Sequence, residues 1–371
     1  MDPSSQHRVH PYRHGEHNMR NRLQKLDFIS VFLWLIRALI IIVVVWGTVA
    51  TIIDNPYSTR QWTDFLVFGV AQGSMYALIA IGYTLVYGVL FMINFAHGEF
   101  FMSGILTSTI LLAGPMANSG FLNRQPIIAL LLMGVVSMVV SIGIAVLTER
   151  IAYRPLRKAP RLVPLITAIG ASFFWQNFFR GIFGSGSKPF PQPDILKGSI
   201  PLFGTEILKT HIVVIIATII MLIGLNFFIM RTKTGKAIRA VAEDKDVAAL
   251  MGIDVDRTVT ITFATGAAMA GIAGVLYAIV FTQVHFFMGF IPGIKAFTAA
   301  VLGGIGSIPG AAIGGLLLGM VESIGPSLFL QSLGIPAFNQ LKDVIAFTML
   351  VLILIFRPQG IVGERLSEQK A

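Results

Sequence analysis

One short segment between two apolar stretches brings together three polar side chains. Asn94, His97 and Glu99 lie within six residues. An ionisable group inside a membrane costs free energy, so by default it marks a transport pathway or a buried partner. The alternative is that the three side chains cap a helix end at the membrane surface, where charge costs little. We favour a pathway, and expect no zinc site because one His and one Glu fall short of a ligand set.

A second set of polar side chains recurs upstream at helical spacing. Gln72, Tyr76, Tyr83 and Tyr87 are separated by 4, 7 and 4 residues, which places them along one stripe of a helix. We interpret Gln72 and Tyr76 as part of the same pathway. Hydrogen bonding between helices, with Tyr83 and Tyr87 in an interfacial aromatic belt, is the alternative.

These residues do not form the set that an enzyme needs. No segment supplies a convergent acid, base and nucleophile, and the chain has no cysteine, which excludes thiolate catalysis and Cys-ligated zinc. Gly235-Lys236 is not a phosphate-binding loop, because Met230 stands where the first Gly is required and Ala237 replaces Ser or Thr. We therefore expect no enzymatic activity, no nucleotide hydrolysis and no cofactor bound by this chain.

The hydrophilic loop 231–258 mixes charged and apolar residues. Residues 236–251 are predicted to form a short amphipathic helix that stops at Gly252. A charged helix between two apolar spans, too short for a domain, suits docking into a groove of a partner protein. A helix lying on the lipid surface is the alternative. The residues expected to carry docking are Glu243, Asp244, Lys245, Leu250 and Gly252.

The elements that position these residues are membrane helices. Of 371 residues, 55% are hydrophobic and only 12% charged, about half the charged share of a soluble domain, and mean hydropathy is +0.77. Long apolar stretches match the roughly 20 residues that cross a bilayer. The predicted spans are 30–53, 63–88, 96–113, 126–147, 162–182, 211–230, 259–283, 296–324 and 341–356. We predict an all-α polytopic membrane protein with about eight to ten spanning helices and broken or re-entrant segments.

Glycine and proline predict one such break and two tight contacts. Residues 303–310 contain four glycines and a proline, so span 296–324 is expected to be two shorter helices. Gly69 and Gly73, and Gly315 and Gly319, are spaced for close helix packing. A backbone-lined selectivity filter is the alternative for the glycines after residue 305.

Basic residues set the expected orientation. The tails and connections placed inside carry 19 Lys and Arg, whereas those placed outside carry 7. Positive charge is concentrated on cytoplasmic connections, so both termini are expected in the cytoplasm of a multi-pass inner-membrane protein. This distribution also explains the net charge of +10 without nucleic acid. The tail 1–27 lacks the features of a secretory signal, and its four histidines are expected to be solvated rather than to bind nickel or zinc.

Several ordered motifs resemble those of a known family. The stretch from Gly73 to Gly88, followed by residues 93–99, is similar to the H-type permeases of branched-chain amino-acid ABC importers, which are binding-protein-dependent inner-membrane components. Residues 149–157, 240–254 and 301–311 resemble further segments of that family. The resemblance covers about residues 63–362. The longer N-terminus and the proline-rich connection 184–210 depart from it.

The resemblance implies a division of labour in a bacterial plasma-membrane importer. The permease gives an alternating-access pathway for leucine, isoleucine and valine. Its implied partners are a second permease subunit, identical or a paralogue, two cytoplasmic ATPases that bind ATP and Mg, an extracytoplasmic substrate-binding protein, and membrane lipid. It also implies that loop 231–258 couples to the ATPases.

The expected boundaries follow from the spans and the resemblance. They are a cytoplasmic basic tail 1–27, an extra N-terminal transmembrane helix with a short outer loop at 28–60, the permease domain 61–362 and a cytoplasmic tail 363–371. A urea or short-chain amide permease is the alternative substrate class. An energy-independent channel or a secondary transporter is the alternative mechanism. In a secondary transporter, the candidate ionisable groups for proton or sodium coupling would be Arg37, His97, Glu99, Lys295, Glu322, Lys342 and Asp343.

Overall fold

The computed structural model describes residues 28–157, 159–160, 162–202, 205–357 and 359–362. The predicted tails 1–27 and 363–371, including the four N-terminal histidines, lie outside these residues. The helices are α1 Phe28–Asp54, α2 Thr59–Leu90, α3 His97–Ser108, α4 Gly114–Asn118, α5 Phe121–Arg124, α6 Pro126–Thr148, α7 Leu162–Phe183, α8 Lys209–Arg231, α9 Lys233–Glu243, α10 Lys245–Leu250, α11 Val255–Phe281, α12 Phe290–Gly303, α13 Ile308–Gly325 and α14 Lys342–Phe356.

Irregular turns extend several of these helices. α3 continues through the π-helical turn Thr109–Ala113 into α4, and α6 continues through Glu149–Tyr153 and Arg154–Leu156. Turns Pro326–Leu330 and Gln331–Leu333 prolong α13, and Phe338–Leu341 leads into α14. Within the described ranges, nine helical segments are long and apolar enough to cross a membrane, which confirms the polytopic all-α prediction.

Four short strands accompany the helices. They are β1 Lys188–Pro189, β2 Ser199–Leu202, β3 Thr205–Leu208 and β4 Gln283–Val284. β1 pairs antiparallel with β4, and β2 pairs antiparallel with β3. In the proline-rich connection between α7 and α8, β2 and β3 therefore form a two-stranded hairpin, with the turn Asp194–Leu196 before it.

The bundle is organised around α2, α11 and α13. Most residues of α2 and α11 are buried, whereas α1, α8 and α14 expose apolar side chains on most of their surface, as expected for helices that contact lipid. Glycines allow α2 and α13 to approach closely: a Cβ added at Gly73 would lie 2.8 Å from the carbonyl oxygen of Gly315. Gly319 likewise contacts the backbone of Gly73, so the predicted close packing is confirmed.

The predicted break in span 296–324 is also confirmed. α12 ends at Gly303, α13 begins at Ile308, and Gly304 and Gly306 between them have φ values of +107° and +101°. The Oγ of Ser307 accepts a hydrogen bond from the Gly310 N–H at 3.1 Å and so caps α13. The N–H groups of Ile361 and Val362 donate to the carbonyls of Leu302 and Gly303 at 2.8 and 3.0 Å. The chain after α14 thereby pairs with carbonyls that the break leaves free.

The prediction of a single helix at 236–251 is wrong in one respect, because the structure divides this segment into two helices, α9 and α10. Asp244 lies between them in an extended conformation, with φ −155° and ψ 116°. Its side chain accepts hydrogen bonds from the N–H groups of Asp246 and Val247 at 2.9 and 3.0 Å. Asp is a good N-cap, and this local bonding starts a new helix instead of continuing the old one.

Candidate functional site

The segment between α2 and α3 folds back into the bundle and is held by Asn94. Its Oδ1 accepts hydrogen bonds from the Ala96 N–H at 3.1 Å and from the Tyr153 hydroxyl at 2.6 Å. Asn94 is 1% exposed, and Tyr153 lies in the π-helical turn that ends α6. Asn94 therefore positions the start of α3 against α6.

Glu99, in the first turn of α3, lies against the middle of α7. Its Oε1 accepts hydrogen bonds from Ser172 Oγ at 3.0 Å and Gln176 Nε2 at 2.7 Å. Glu99 is 1% exposed, and its Oε2 has no hydrogen-bond partner among the described residues. Since Ser172 is about halfway along a spanning helix, the carboxyl group is inside the bundle rather than at a helix end near the membrane surface.

His97 is buried between aromatic rings. Its ring centroid is 4.7 Å from that of Tyr83 and 5.5 Å from that of Phe100. The ring also fills the space beside Gly82, where an added Cβ would collide with it. Neither ring nitrogen has a hydrogen-bond partner in the described part of the chain. His97 thus fixes the packing of α3 on α2.

A cavity of about 240 Å³, which we call the Glu99 cavity, lies beside a hydrogen-bond partner of Glu99, although Glu99 itself does not line it. Ser172, which donates to Glu99, is one of its walls. The other lining residues are aliphatic, aromatic or glycine: Tyr83, Phe95, Ile169, Phe173, Gly289, Phe290, Gly293 and Ile294. A cavity with apolar walls and one polar edge suits a small molecule with an apolar body and a polar end.

Gln72 and Tyr76 are not part of this cavity. Gln72 Nε2 lies 2.7 Å from the Tyr76 hydroxyl and 3.0 Å from Glu322 Oε1. Lys295 Nζ lies 2.5 Å from Glu322 Oε1 and 2.6 Å from Asp343 Oδ1. The stripe predicted on α2 therefore meets a cluster of three ionisable side chains, which we call the ion cluster: Lys295, Glu322 and Asp343.

The ion cluster connects four helices in the interior. The side chains of Lys295 and Glu322 are 4% and 1% exposed, whereas that of Asp343 is 42% exposed. Lys295 is on α12, Glu322 on α13 and Asp343 on α14, and Gln72 links them to α2. Each ionisable residue is visible in the sequence as a charge in an apolar stretch, but its partners are not. Removal of one member would leave a buried charge uncompensated.

The segment α9–α10 has one face on the bundle and one in solvent. Ile238, Val241 and Ala248 are buried. Leu250 is 87% exposed and Met251 is 78% exposed. Gly252 ends the segment with a φ of +83°. An apolar surface with charged neighbours thus projects from the bundle.

The charged residues of this segment are spread around its surface. Glu243 ends α9, Asp244 caps α10, and the Lys245 ammonium lies 5.3 Å from the centre of the Phe91 ring. Partial burial, and then the nearby Arg157, lower the pKa of Lys245. Lys245 therefore anchors α10 to the end of α2.

A neighbouring ion network was missed in the sequence. Glu149 is fully buried, and its carboxylate accepts hydrogen bonds from Arg157 and, at 2.9 Å, from Thr260 Oγ1. Arg157 also pairs with Asp256, in the first turn of α11. The sequence assigned the arginines after α6 to a topology signal and to a family-like motif, and predicted no ion pair with Glu149 or Asp256. In the structure they fix the end of α6 to the start of α11, beside α9 and α10.

Comparison with known proteins places these features in one family. Residues 65–354 match the model described as "Branched-chain amino acid transport system / permease component". The chain is 44% identical to the high-affinity branched-chain amino acid transport permease BraD of Pseudomonas aeruginosa over 303 residues, 80% of this chain and 94% of BraD. It is 42% identical to LivH of Escherichia coli over 303 residues, 80% of this chain and 93% of LivH.

A more distant relative is named for the import of a different compound. The chain is 27% identical to the autoinducer 2 import permease LsrC of Yersinia pestis over 336 residues, 86% of this chain and 84% of LsrC. No solved structure matches the chain. The family match begins after α1 and includes both the Glu99 cavity and the ion cluster.

Proposed function

This chain belongs to the permease family of branched-chain amino acid transport systems, and we propose that it forms the membrane pathway of an ABC importer for leucine, isoleucine and valine. The observation that carries the proposal is the 42% identity to LivH across 93% of that protein's length. The protein is a transport subunit rather than an enzyme.

The chemistry of the cavity supports this substrate class. A branched-chain amino acid has an aliphatic side chain and a charged ammonium group. The aliphatic part would pack against Ile169, Phe173 and Ile294. The ammonium group would approach the polar edge of the cavity, where the Ser172 hydroxyl lies and donates a hydrogen bond to the buried Glu99 carboxylate. Urea has no aliphatic part, so these walls favour an amino acid.

Energy would enter from partner proteins. We expect two cytoplasmic ATPases to bind ATP and Mg, and to receive the exposed apolar side chains of Leu250 and Met251 in a groove. A second permease subunit, identical or a paralogue, would complete the pathway, and an extracytoplasmic binding protein would deliver the substrate. The bias of 19 to 7 basic residues supports cytoplasmic termini and a cytoplasmic α9–α10 segment.

The test is uptake by the complete transporter in vesicles. The chain is reconstituted with its partner permease, its ATPases and its binding protein, and uptake of labelled leucine, valine and urea is measured with and without ATP. We expect ATP-dependent leucine and valine uptake and none of urea. An ATPase defective in hydrolysis is the control. Uptake of urea alone, or leucine uptake driven by a proton gradient without ATP, would contradict the proposal.

A further inference from the structure

A long apolar groove shares no lining residue with the Glu99 cavity. Its walls are α6 from Pro126 to Met138 and α8 from Lys209 to Met221, and its floor is α11 from Ile272 to Ile279. The volume is about 590 Å³. Every lining side chain except that of Lys209 is apolar. The groove therefore has one cationic end and an apolar remainder.

The dimensions of the groove match one leaflet of a bilayer. Twelve residues separate Lys209 from Met221, which is about 18 Å of α-helix. The hydrocarbon region of a bilayer is about 30 Å thick, so one leaflet occupies about 15 Å. Lys209 begins α8 directly after the hairpin, at the end of the bundle where the membrane surface is expected. Its ammonium would thus lie at headgroup level, with the groove reaching towards the middle of the membrane.

The connection between α7 and α8 forms a fixed roof over the cationic end. Leu196 and Ile200 of this connection line the groove. The Asp194 N–H and carboxylate bond to the side chain of Asn123, just before α6, at 2.9 and 2.6 Å. The Lys209 N–H donates to the Gly198 carbonyl at 3.2 Å. The roof is therefore tied to both walls, and the groove has a preformed upper end.

We propose that this groove binds one acyl chain of an anionic phospholipid of the surrounding membrane, with the headgroup phosphate at Lys209. Within the described residues Lys209 forms no ion pair, while the nearby Lys197 pairs with Asp194 at 2.6 Å. A basic side chain at the mouth of an intramembrane groove is suited to an anionic headgroup.

Two glycines of α6 give a matched pair of variants. No heavy atom lies within 4 Å of a Cβ added at Gly134, which lines the groove, or at Gly143, which does not line it. Gly134→Phe should fill the groove without a backbone clash, and Gly143→Phe adds the same side chain elsewhere on the same helix. Lys209→Gln removes the cation, and Lys188→Gln is its control on the same connection.

The experiment measures phospholipid retained by the complete transporter. The purified assembly is exchanged into vesicles of phosphatidylglycerol and phosphatidylcholine, extracted and washed, and bound lipid is quantified by mass spectrometry. We expect phosphatidylglycerol on the native protein and the Gly143→Phe control, and loss of one bound lipid in Gly134→Phe. Lys209→Gln should lower the preference for phosphatidylglycerol about fivefold, equivalent to about 1 kcal/mol, and Lys188→Gln should not.

Two outcomes would overturn the proposal. Equal lipid retention by the Gly134→Phe and Gly143→Phe proteins would show that the groove holds no lipid. Loss of the second permease subunit from Gly134→Phe alone, with lipid retention unchanged, would show that the groove seats a protein. Both outcomes are read from the lipid and subunit content of the purified assembly, so they are independent of the uptake test of the transport function.

Discussion

Replacement of Lys295 by Met tests the ion cluster as a stabilising connection between α12, α13 and α14. Met has a long unbranched side chain, so the change removes the ammonium while most of the apolar contacts remain. The Glu322 carboxylate, with a 1% exposed side chain, would lose its ammonium partner and keep the hydrogen bond from Gln72 at 3.0 Å. Asp343 would be less affected than Glu322, because its side chain is 42% exposed, although the Oδ1 that pairs with Lys295 is buried.

The expected loss of stability follows from the burial of the Lys295 and Glu322 side chains. Breaking a buried ion pair by removing one partner typically costs about 3–5 kcal/mol, because the remaining charge is uncompensated. A stability change of this size corresponds to a fall in melting temperature of about 4–6 °C in a chain of 371 residues, since the unfolding entropy is about 2.1 cal/mol/K per residue. Lys295→Met and Glu322→Gln together remove both buried charges, so the double variant should recover most of the loss.

The assay is thermal unfolding of the purified assembly, followed by the fraction that remains in the native size-exclusion peak. Lys342→Met is the control, since Lys342 is an exposed lysine at the start of α14, and its replacement should change stability by less than about 0.5 kcal/mol. If Lys295→Met melts within 2 °C of Lys342→Met, or if the double variant is less stable than the single one, the buried pair does not connect the helices as argued.

Three further predictions concern the pathway, the coupling segment and the topology. Glu99→Gln should retain the hydrogen bonds from Ser172 and Gln176 but lower leucine uptake about tenfold or more at unchanged stability. A tenfold fall in uptake corresponds to about 1.4 kcal/mol. Native uptake by this variant would assign Glu99 a purely structural role. Leu250→Asp should abolish stimulation of the ATPases by loaded binding protein, whereas full stimulation and uptake would exclude α10 as the coupling element. Because the chain has no cysteine, Ser187→Cys should react with an impermeant thiol reagent outside cells and Lys236→Cys only after permeabilisation; the reverse pattern would invert the topology.

The sequence alone determined which stretches cross the membrane and where they break. Length and hydropathy suffice for the spans because a bilayer imposes a minimum apolar length on every spanning helix. The break at Gly304–Ser307 was readable because glycine and proline act locally. The predicted start of α12 is six residues late, because the charged Lys295 was assigned to the preceding connection, whereas the helix begins at Phe290 with Pro292 in its first turn. Proline is tolerated in the first turn, where its missing N–H has no helical partner.

Only the tertiary structure decided which residues meet. Spacing placed Gln72 and Tyr76 on one stripe of α2, but the partner Glu322 is 250 residues away along the chain. The contact of Glu99 with Ser172 and Gln176 was equally hidden, because periodicity within a helix fixes the direction of a side chain and not the neighbouring helix. Those neighbours are selected by packing, here by glycines that let α2 and α13 touch. That packing brings Gln72 and Glu322 within hydrogen-bonding distance.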